Sequence, residues 1–354
     1  MSLDAQIKRL LPGWLKEPAP DGDIVFSSRV RLARNLNHLS FPYHAGEIQL
    51  EEVIDQVGAA LKSAGHFKNY TLHRLDEMTQ HDRMVLVEKY LVSLDLLKNP
   101  AHRGVVLNQD ETVSIMLNEE DHLRIQGIYP GLQLNKAWES AEQIDRLLEA
   151  KLDFAFDEER GYLTTCPTNV GTGLRASVLV HLPALKMVGQ VKKVLAVLPS
   201  IGLNVRGAYG EGTDSAGDLY QISNQVTLGL SEEEIVGKIV SVTKQVIDQE
   251  RAAREALLAN DSRLQLEDRV NRAYGLLTHS RLISSEETIK LLSDVLMGAA
   301  LNLIPKADGQ VVKELFFLIR PAILQKLIGR ELTPGERDHY RAAMVREHLG
   351  MNRK

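Results

Sequence analysis

Between Gly104 and His122 the chain reads GVVLNQDETVSIMLNEEDH, and its apolar positions set the first elements. Val105, Val106 and Leu107 form one short apolar run, Asn108 to Glu111 is turn-forming, and Val113, Ile115 and Leu117 then alternate with Thr112, Ser114 and Met116. That pattern predicts a hairpin of two strands, because strand side chains point to opposite faces with a period of two. DGDIVFSSRVRLARNL, from Asp21, reads as another extended segment, rich in arginine. The spacing changes at SAEQIDRLLEAKLDF, where Ile144, Leu147, Leu148 and Leu152 recur at helical intervals behind Ser140 as the N-cap. SEEEIVGKIVSVTKQVI repeats helical spacing at Ile235, Ile239, Val242 and Val246, opened by a capping-box pair, Ser231 and Glu234.

LNVRGAYGEGTDSAGDLYQISN, from Leu203, sets glycine, serine and aspartate between two short strand-like pieces, which predicts a mobile functional loop. From about Gln249 the chain turns charged, leucine-rich and helical, with start signals at Ser284 and Thr333. A boundary near Glu250 to Asn260 follows. The fold class expected is α+β: a tail over 1–20, a domain of strands and helices over 21–250, and an all-helical domain over 255–354.

Composition narrows the function classes. A hydrophobic share of 44% against 25% charged residues describes an ordinary globular chain with a sizeable core. A net charge of -5 argues against generic nucleic-acid binding, which wants a basic footprint. The single cysteine, Cys166, excludes an internal disulfide and any Cys-rich zinc site. The opening residues lack the apolar core of a signal peptide, and no run of about eighteen apolar residues occurs, so a cytoplasmic protein is expected.

Three segments carry chemistry. In SSRVR, Arg29 and Arg31 are two apart and on a strand project from one face, a spacing suited to forked hydrogen bonding of phosphate oxygens, although a solvated edge strand has the same pattern. NEEDHLR packs three carboxylates, a histidine and an arginine into seven residues after a strand. In extended backbone Glu119 and Glu120 point opposite ways, so only Glu120 shares a side with Arg124. In CPTNVGTGLR, Pro167 biases Cys166 toward an extended conformation, and Gly171 and Gly173 allow a turn that aims backbone amides at an anion, with Arg175 just beyond. A lone cysteine is ordinarily an apolar filler, whereas one set among arginines favours its thiolate.

In that order and at these separations, SSRVR, NEEDHLR, CPTN-x-GTGLRAS and VRG-x-x-GE resemble the catalytic domain of the phosphagen (guanidino) kinases, over roughly Asp21 to Val246. The resemblance implies a central antiparallel sheet flanked by helices, glutamine-synthetase-like, that binds magnesium-ATP and transfers its terminal phosphoryl group to a guanidinium nitrogen. It implies that Arg29, Arg31, Arg124, Arg175 and Arg206 grip the nucleotide phosphates. The nucleotide-binding runs then include Ser27, Ser28 and Val30, next Ala176, Ser177, Val178 and Leu179, and finally Gly207, Ala208, Tyr209 and Gly210. Glu120 matches the carboxylate that holds and deprotonates the guanidinium, and Cys166 the cysteine that contacts the same group. Either Glu211 or Asp214 would supply a second carboxylate from the loop, and magnesium would arrive on ATP. Tyr90 stands where a nucleotide-contacting histidine is expected in this family. Members that act on free creatine or arginine open with a helical domain that closes over the small substrate. Here SSRVR begins at Ser27, so the expectation is an acceptor side open to an arginine within a polypeptide.

RDHYRA, from Arg337, places Arg337 and Arg341 one helical turn apart with Asp338 adjacent. Spacing alone fits a salt-bridged helix surface. The form RD-x-x-RA also resembles the phosphoarginine-binding pocket of bacterial protein-arginine kinases of the McsB type, formed here by Arg337, Asp338, Arg341 and Ala342. That resemblance implies substrates such as a heat-shock repressor and misfolded proteins bound for a Clp chaperone-protease, a zinc-binding activator protein, a homo-oligomer, and feedback by phosphoarginine in a stress response. Two alternatives stand beside it: a phosphagen kinase for a small guanidine, and a phosphoarginine-binding adaptor with a weak kinase domain.

Overall fold

The arginine-rich segment is a central strand. In the computed structural model, which describes residues 10–16, 18–63, 69–207, 215–259 and 262–350, β1 (Val25–Arg34) pairs antiparallel with β5 (Leu123–Pro130) on one side and β8 (Leu174–His181) on the other. The sheet has eight strands among the described residues, in the order β2-β3-β4-β5-β1-β8-β10-β9. Here β2 is Tyr70–Arg74, β3 Gly104–Asn108, β4 Val113–Leu117, β9 Leu203–Gly207 and β10 Leu219–Asn224. A separate ribbon joins β6 (Phe156–Asp157) to β7 (Gly161–Tyr162). The hairpin expected from alternation is β3–β4, with Leu107 opposite Ser114.

One face of this sheet is covered by helices. The helix Leu134–Glu149 lies so close to β5 that a Cβ on Gly127 would come within 2.4 Å of the Ala137 carbonyl oxygen, so only glycine fits there. It starts earlier than the sequence predicted. Gln133 precedes it without a side-chain cap, and Ser140 sits inside the helix with its hydroxyl 2.7 Å from that of Tyr129. Ser140 is therefore a hydrogen-bonding partner and not an N-cap. The helix Glu232–Leu258 carries the capping box of Ser231 and Glu234 and buries Ile235, Ile239 and Val246. Between helix and sheet Arg34 is 1% exposed, yet its guanidinium meets the Asp145 carboxylate at 2.7 Å and donates to the carbonyls of Ala33 and Thr172.

From Ser262 the chain is helical: Ser262–His279, Ser285–Ala300, Gly309–Leu318, Pro321–Ile328 and Pro334–Gly350. Ser284 caps its helix by accepting from the Glu287 amide, and Thr333 does the same for Glu336. These helices pack on the sheet domain through one continuous core, in which the Phe26 and Phe316 rings meet edge to face at 5.2 Å. The interface also carries buried polar contacts: His181 Nε2 lies 2.8 Å from Ser293 Oγ, which donates to Asp218 at 3.1 Å. None of the helices among the described residues is long and apolar enough to cross a membrane.

Candidate active site

Strand register gathers the arginines on the face that the two long helices leave alone. Opposed residues of neighbouring strands share a face. Arg31 of β1 is opposite Arg175 of β8, and Arg124 of β5 is opposite Ala33, one step of two along from Arg31. Arg29 is opposite Ser177, Leu179 is opposite Gln221 of β10, and Gln221 is opposite Arg206 of β9. Five arginines from four strands therefore face one way. Strand alternation splits the nucleotide-binding runs that the resemblance implied: Ser27, Ser177 and Leu179 lie on the arginine face, whereas Ser28, Val30, Ala176 and Val178 are buried on the helix side. Ser28, for instance, donates to the Gly131 carbonyl and accepts from the Gln133 amide. Gly207, opposite Tyr220, also falls on that other side. Ala208, Tyr209, Gly210, Glu211 and Asp214 lie outside the described residues, as does 208–214 of the segment expected to be a mobile loop.

Burial, and then the concentration of like charge, weakens the hold of these guanidiniums on their protons. Burial, followed by the neighbouring Arg29 and Arg124, holds the Arg31 pKa well below the usual guanidinium value. Burial lowers Arg29 to about 10, with Arg124 adding to the effect, and burial together with Arg124 and Arg206 lowers Arg175. The hydrogen-bond acceptors that meet two of them are neutral: Arg29 donates to Gln221 at 3.1 Å and Arg175 to Asn169 at 3.5 Å. Arg31 Nε is buried and has no hydrogen-bond partner among the described residues. A buried donor without an acceptor is costly, so the site is built for an anion, and the five forked donors suit a polyphosphate.

At the edge of this face stands the NEEDH segment, which is a tight turn and not extended. Asn118 adopts φ +58°, a region asparagine tolerates better than most, and its side-chain amide donates to the carbonyls of Leu50 and His102. The turn overturns the expectation that one glutamate alone can face Arg124. Glu119 binds Arg124 directly and accepts from Ser93, while the Glu120 carboxylate lies 4.0 Å from the same guanidinium. Glu119 thus fixes the arginine, and Glu120 keeps a side chain 40% exposed and free to meet a substrate. Burial first, then the charge of Asp121, raises the Glu120 pKa above the ordinary carboxylate range.

Cys166 reaches the same neighbourhood through contacts that motif reading did not find. The Asp121 carboxylate accepts from the Thr165 amide and from the Asn35 side chain, both at 2.7 Å, tying the residue before Cys166 to the residue after Glu120. Glu120 is among the groups that raise the Arg175 pKa, against the larger lowering by burial and by Arg124 and Arg206. The Cys166 thiol is half-buried, 3.0 Å from Thr168 Oγ1. Gly171 and Gly173, expected to aim amides at an anion, serve packing instead. A Cβ would fall 2.4 Å from the Thr227 carbonyl oxygen at Gly171 and 2.6 Å from that of Ala33 at Gly173, and the Gly171 amide is spent on Tyr162.

The remote arginine pair is arranged differently. Arg341 is 2% exposed and donates to the carbonyls of Ile319 and Ile283 and to Asp338. Ala342 is buried beside it, and Arg337 and Asp338 are half-buried. Arg337 donates to the Leu332 carbonyl at 2.9 Å.

Comparison with known proteins agrees with this geometry. Residues 52–253 match the model of the ATP:guanido phosphotransferase C-terminal catalytic domain, and residues 263–354 that of the protein-arginine kinase McsB C-terminal domain. A protein-arginine kinase of Halothermothrix orenii is 50% identical over 351 residues, spanning 99% of this chain and 100% of that one. Another, of Bacillus subtilis, is 46% identical, spanning 100% of this chain and 98% of its own length. Among solved structures, a lombricine kinase aligns with a TM-score of 0.59 at 28% identity, covering 72% of both chains. The duplicated taurocyamine kinase of Schistosoma mansoni with bound transition state analog components aligns with a TM-score of 0.60 at 27% identity, over 71% of this chain and 37% of that one. The chain belongs to the ATP:guanido phosphotransferase family, with the phosphagen-kinase fold followed by a McsB-type C-terminal domain.

Proposed function

We propose that this chain is a protein-arginine kinase, transferring the γ-phosphoryl group of ATP to arginine side chains of proteins. The observation that carries the reading is a buried Arg31 Nε without a partner among the described residues, within a five-arginine face that has Glu120 at its edge. Full-length similarity to protein-arginine kinases supports a protein-borne acceptor.

Phosphoryl transfer asks little covalent chemistry of a protein; alignment and charge neutralisation dominate. Arg29, Arg31, Arg124 and Arg175 hold the phosphates, and Glu119 fixes the direction of Arg124. Magnesium, arriving with ATP, would supply further charge neutralisation. The acceptor is the harder partner, because a guanidinium has a pKa above about 12 and shares its lone pairs across the group. Glu120 accepts a proton from one terminal nitrogen, freeing a lone pair that forms the N–P bond as the bond to the leaving ADP oxygen breaks. Cys166 offers its sulfur as a soft contact for the guanidinium and is not a covalent nucleophile. The raised Glu120 pKa suits this role, since a base whose pKa lies nearer neutrality drives proton transfer better.

The finer biology follows as part of the same proposal. Phosphoarginine marking would route misfolded proteins to a Clp protease and inactivate a heat-shock repressor, with a zinc-binding activator as partner. A phosphoarginine from another protomer would meet Arg337 and Asp338, while Arg341 holds the shape of that corner. Coupled ATP-consumption assays with free arginine, creatine and an arginine-rich protein separate the readings. Turnover only with the protein supports the proposal, and turnover with a free guanidine alone favours a small-substrate kinase.

A further inference from the structure

Tyr90 is held in an unfavourable conformation by partners from distant parts of the chain. Its φ of +63° lies in the left-handed region, which a bulky side chain adopts only where the surroundings over-determine it. Gln126 of β5, opposite Arg31, donates to the Tyr90 carbonyl at 2.9 Å. The Tyr90 ring meets Phe317 edge to face at 5.6 Å.

The most specific partner comes from the C-terminal helices. The Arg320 guanidinium lies 4.6 Å from the centre of the Tyr90 ring, with Nη2 donating to the phenol oxygen at 2.5 Å and Nη1 to the Glu88 carbonyl at 3.0 Å. Glu88 returns the contact: its carboxylate accepts the amides of Ala322 and Ile323, at 2.9 and 2.8 Å, and so caps the helix that begins beside Arg320. Tyr90 also lines a small cavity together with Arg29 and Gln221 of the arginine face. A clamp from one domain therefore ends on the wall of a site in the other.

We infer that Arg320 is a positioning residue for nucleotide binding: by fixing Tyr90 against Arg29 it sets the wall of the nucleotide cavity, so the C-terminal helices contribute to nucleotide affinity without touching the nucleotide. The inference rests on reading the arginine face as the ATP site. Hydrogen bonds to a charged group, once lost, are worth enough to change an affinity severalfold.

The test is titration of the full chain with magnesium-ADP by calorimetry, with KM for ATP and kcat measured alongside, for wild type, Arg320→Ala, Arg320→Lys, Tyr90→Ala and the double alanine variant. Arg320→Ala should weaken ADP and raise KM for ATP by about fivefold to tenfold, with kcat changed less. Arg320→Lys should recover part of the loss, and the double variant should bind ADP no more weakly than Tyr90→Ala alone. Unchanged ADP affinity in Arg320→Ala alongside a lowered melting temperature would assign the residue to packing and overturn the inference, as would strictly additive losses. If the alanine variants do not fold, Arg320→Lys and Tyr90→Phe decide: weaker ADP binding in both supports the clamp, and no change in either removes it. A wild-type chain that binds no ADP would overturn the nucleotide reading and the inference together.

Discussion

Arg31 and Arg34 sit three residues apart on one strand and have opposite fates. Arg34 faces the helices, is 1% exposed and is matched by Asp145 and two backbone carbonyls. Arg31 faces the other way, among four more arginines, with a buried nitrogen that has no acceptor among the described residues. The same side chain is a structural strut on one face and, on the proposed function, a ligand hook on the other, and only its partners tell the two apart. A site that stores repulsion between like charges pays in stability for affinity, since a bound polyanion relieves what the empty face carries.

Several experiments break or sharpen that contrast. The largest effect is expected from Glu120→Gln, which removes the proton acceptor while leaving the arginines: kcat should fall by about 10²–10⁴ with ADP affinity largely retained. A parallel loss of ADP binding would mean that Glu120 shapes the phosphate site. Arg31→Ala should cost about 10²–10³ in kcat, as for removal of one preorganised donor, yet leave the urea midpoint unchanged or higher. Arg34→Ala should do the reverse, destabilising by about 3–5 kcal/mol because Asp145 is left buried without its cation, and an Arg34→Met/Asp145→Leu pair should recover much of that loss. If both arginine variants lose stability alike, the division between strut and hook fails.

The smallest expected effect is on pH dependence. A general base must be ionised, so the rate falls as pH drops through the Glu120 pKa. Burial and Asp121 hold that pKa up, which places the acid limb of kcat/KM above the ordinary carboxylate range. Removing the like charge by Asp121→Asn should move the limb toward lower pH. A limb that stays put would show that Asp121 acts only through its hold on Thr165.

Much of this was legible in the sequence because it is local. An apolar run found β3 and alternation found β4, the capping box found the start of the helix Glu232–Leu258, and the two-residue spacing of Arg29 and Arg31 put them on one face. The same alternation, applied strictly, removes Val30 and Val178 from the nucleotide side. Asn118 offered a missed signal: asparagine after a strand is a frequent site of left-handed backbone, and that turn brings Glu119 and Glu120 to one arginine. The start of the helix at Leu134 could not be read from a cap, since Gln133 makes none. Asp121 holding Thr165, Gln126 holding Tyr90, and Arg320 reaching Tyr90 are long-range pairings with no sequence period at all.

The central claim is that the cationic face clamps ATP while Glu120 readies a protein's guanidino nitrogen for attack. Its most direct measurement is mass spectrometry, under non-acidic conditions that spare the P–N bond, of an arginine-rich protein incubated with magnesium-ATP and either wild type or Glu120→Gln. Phosphorylated arginine with wild type and none with the variant is the predicted result. Equal modification by both, or phosphate found only on serine, threonine or free arginine, would contradict it.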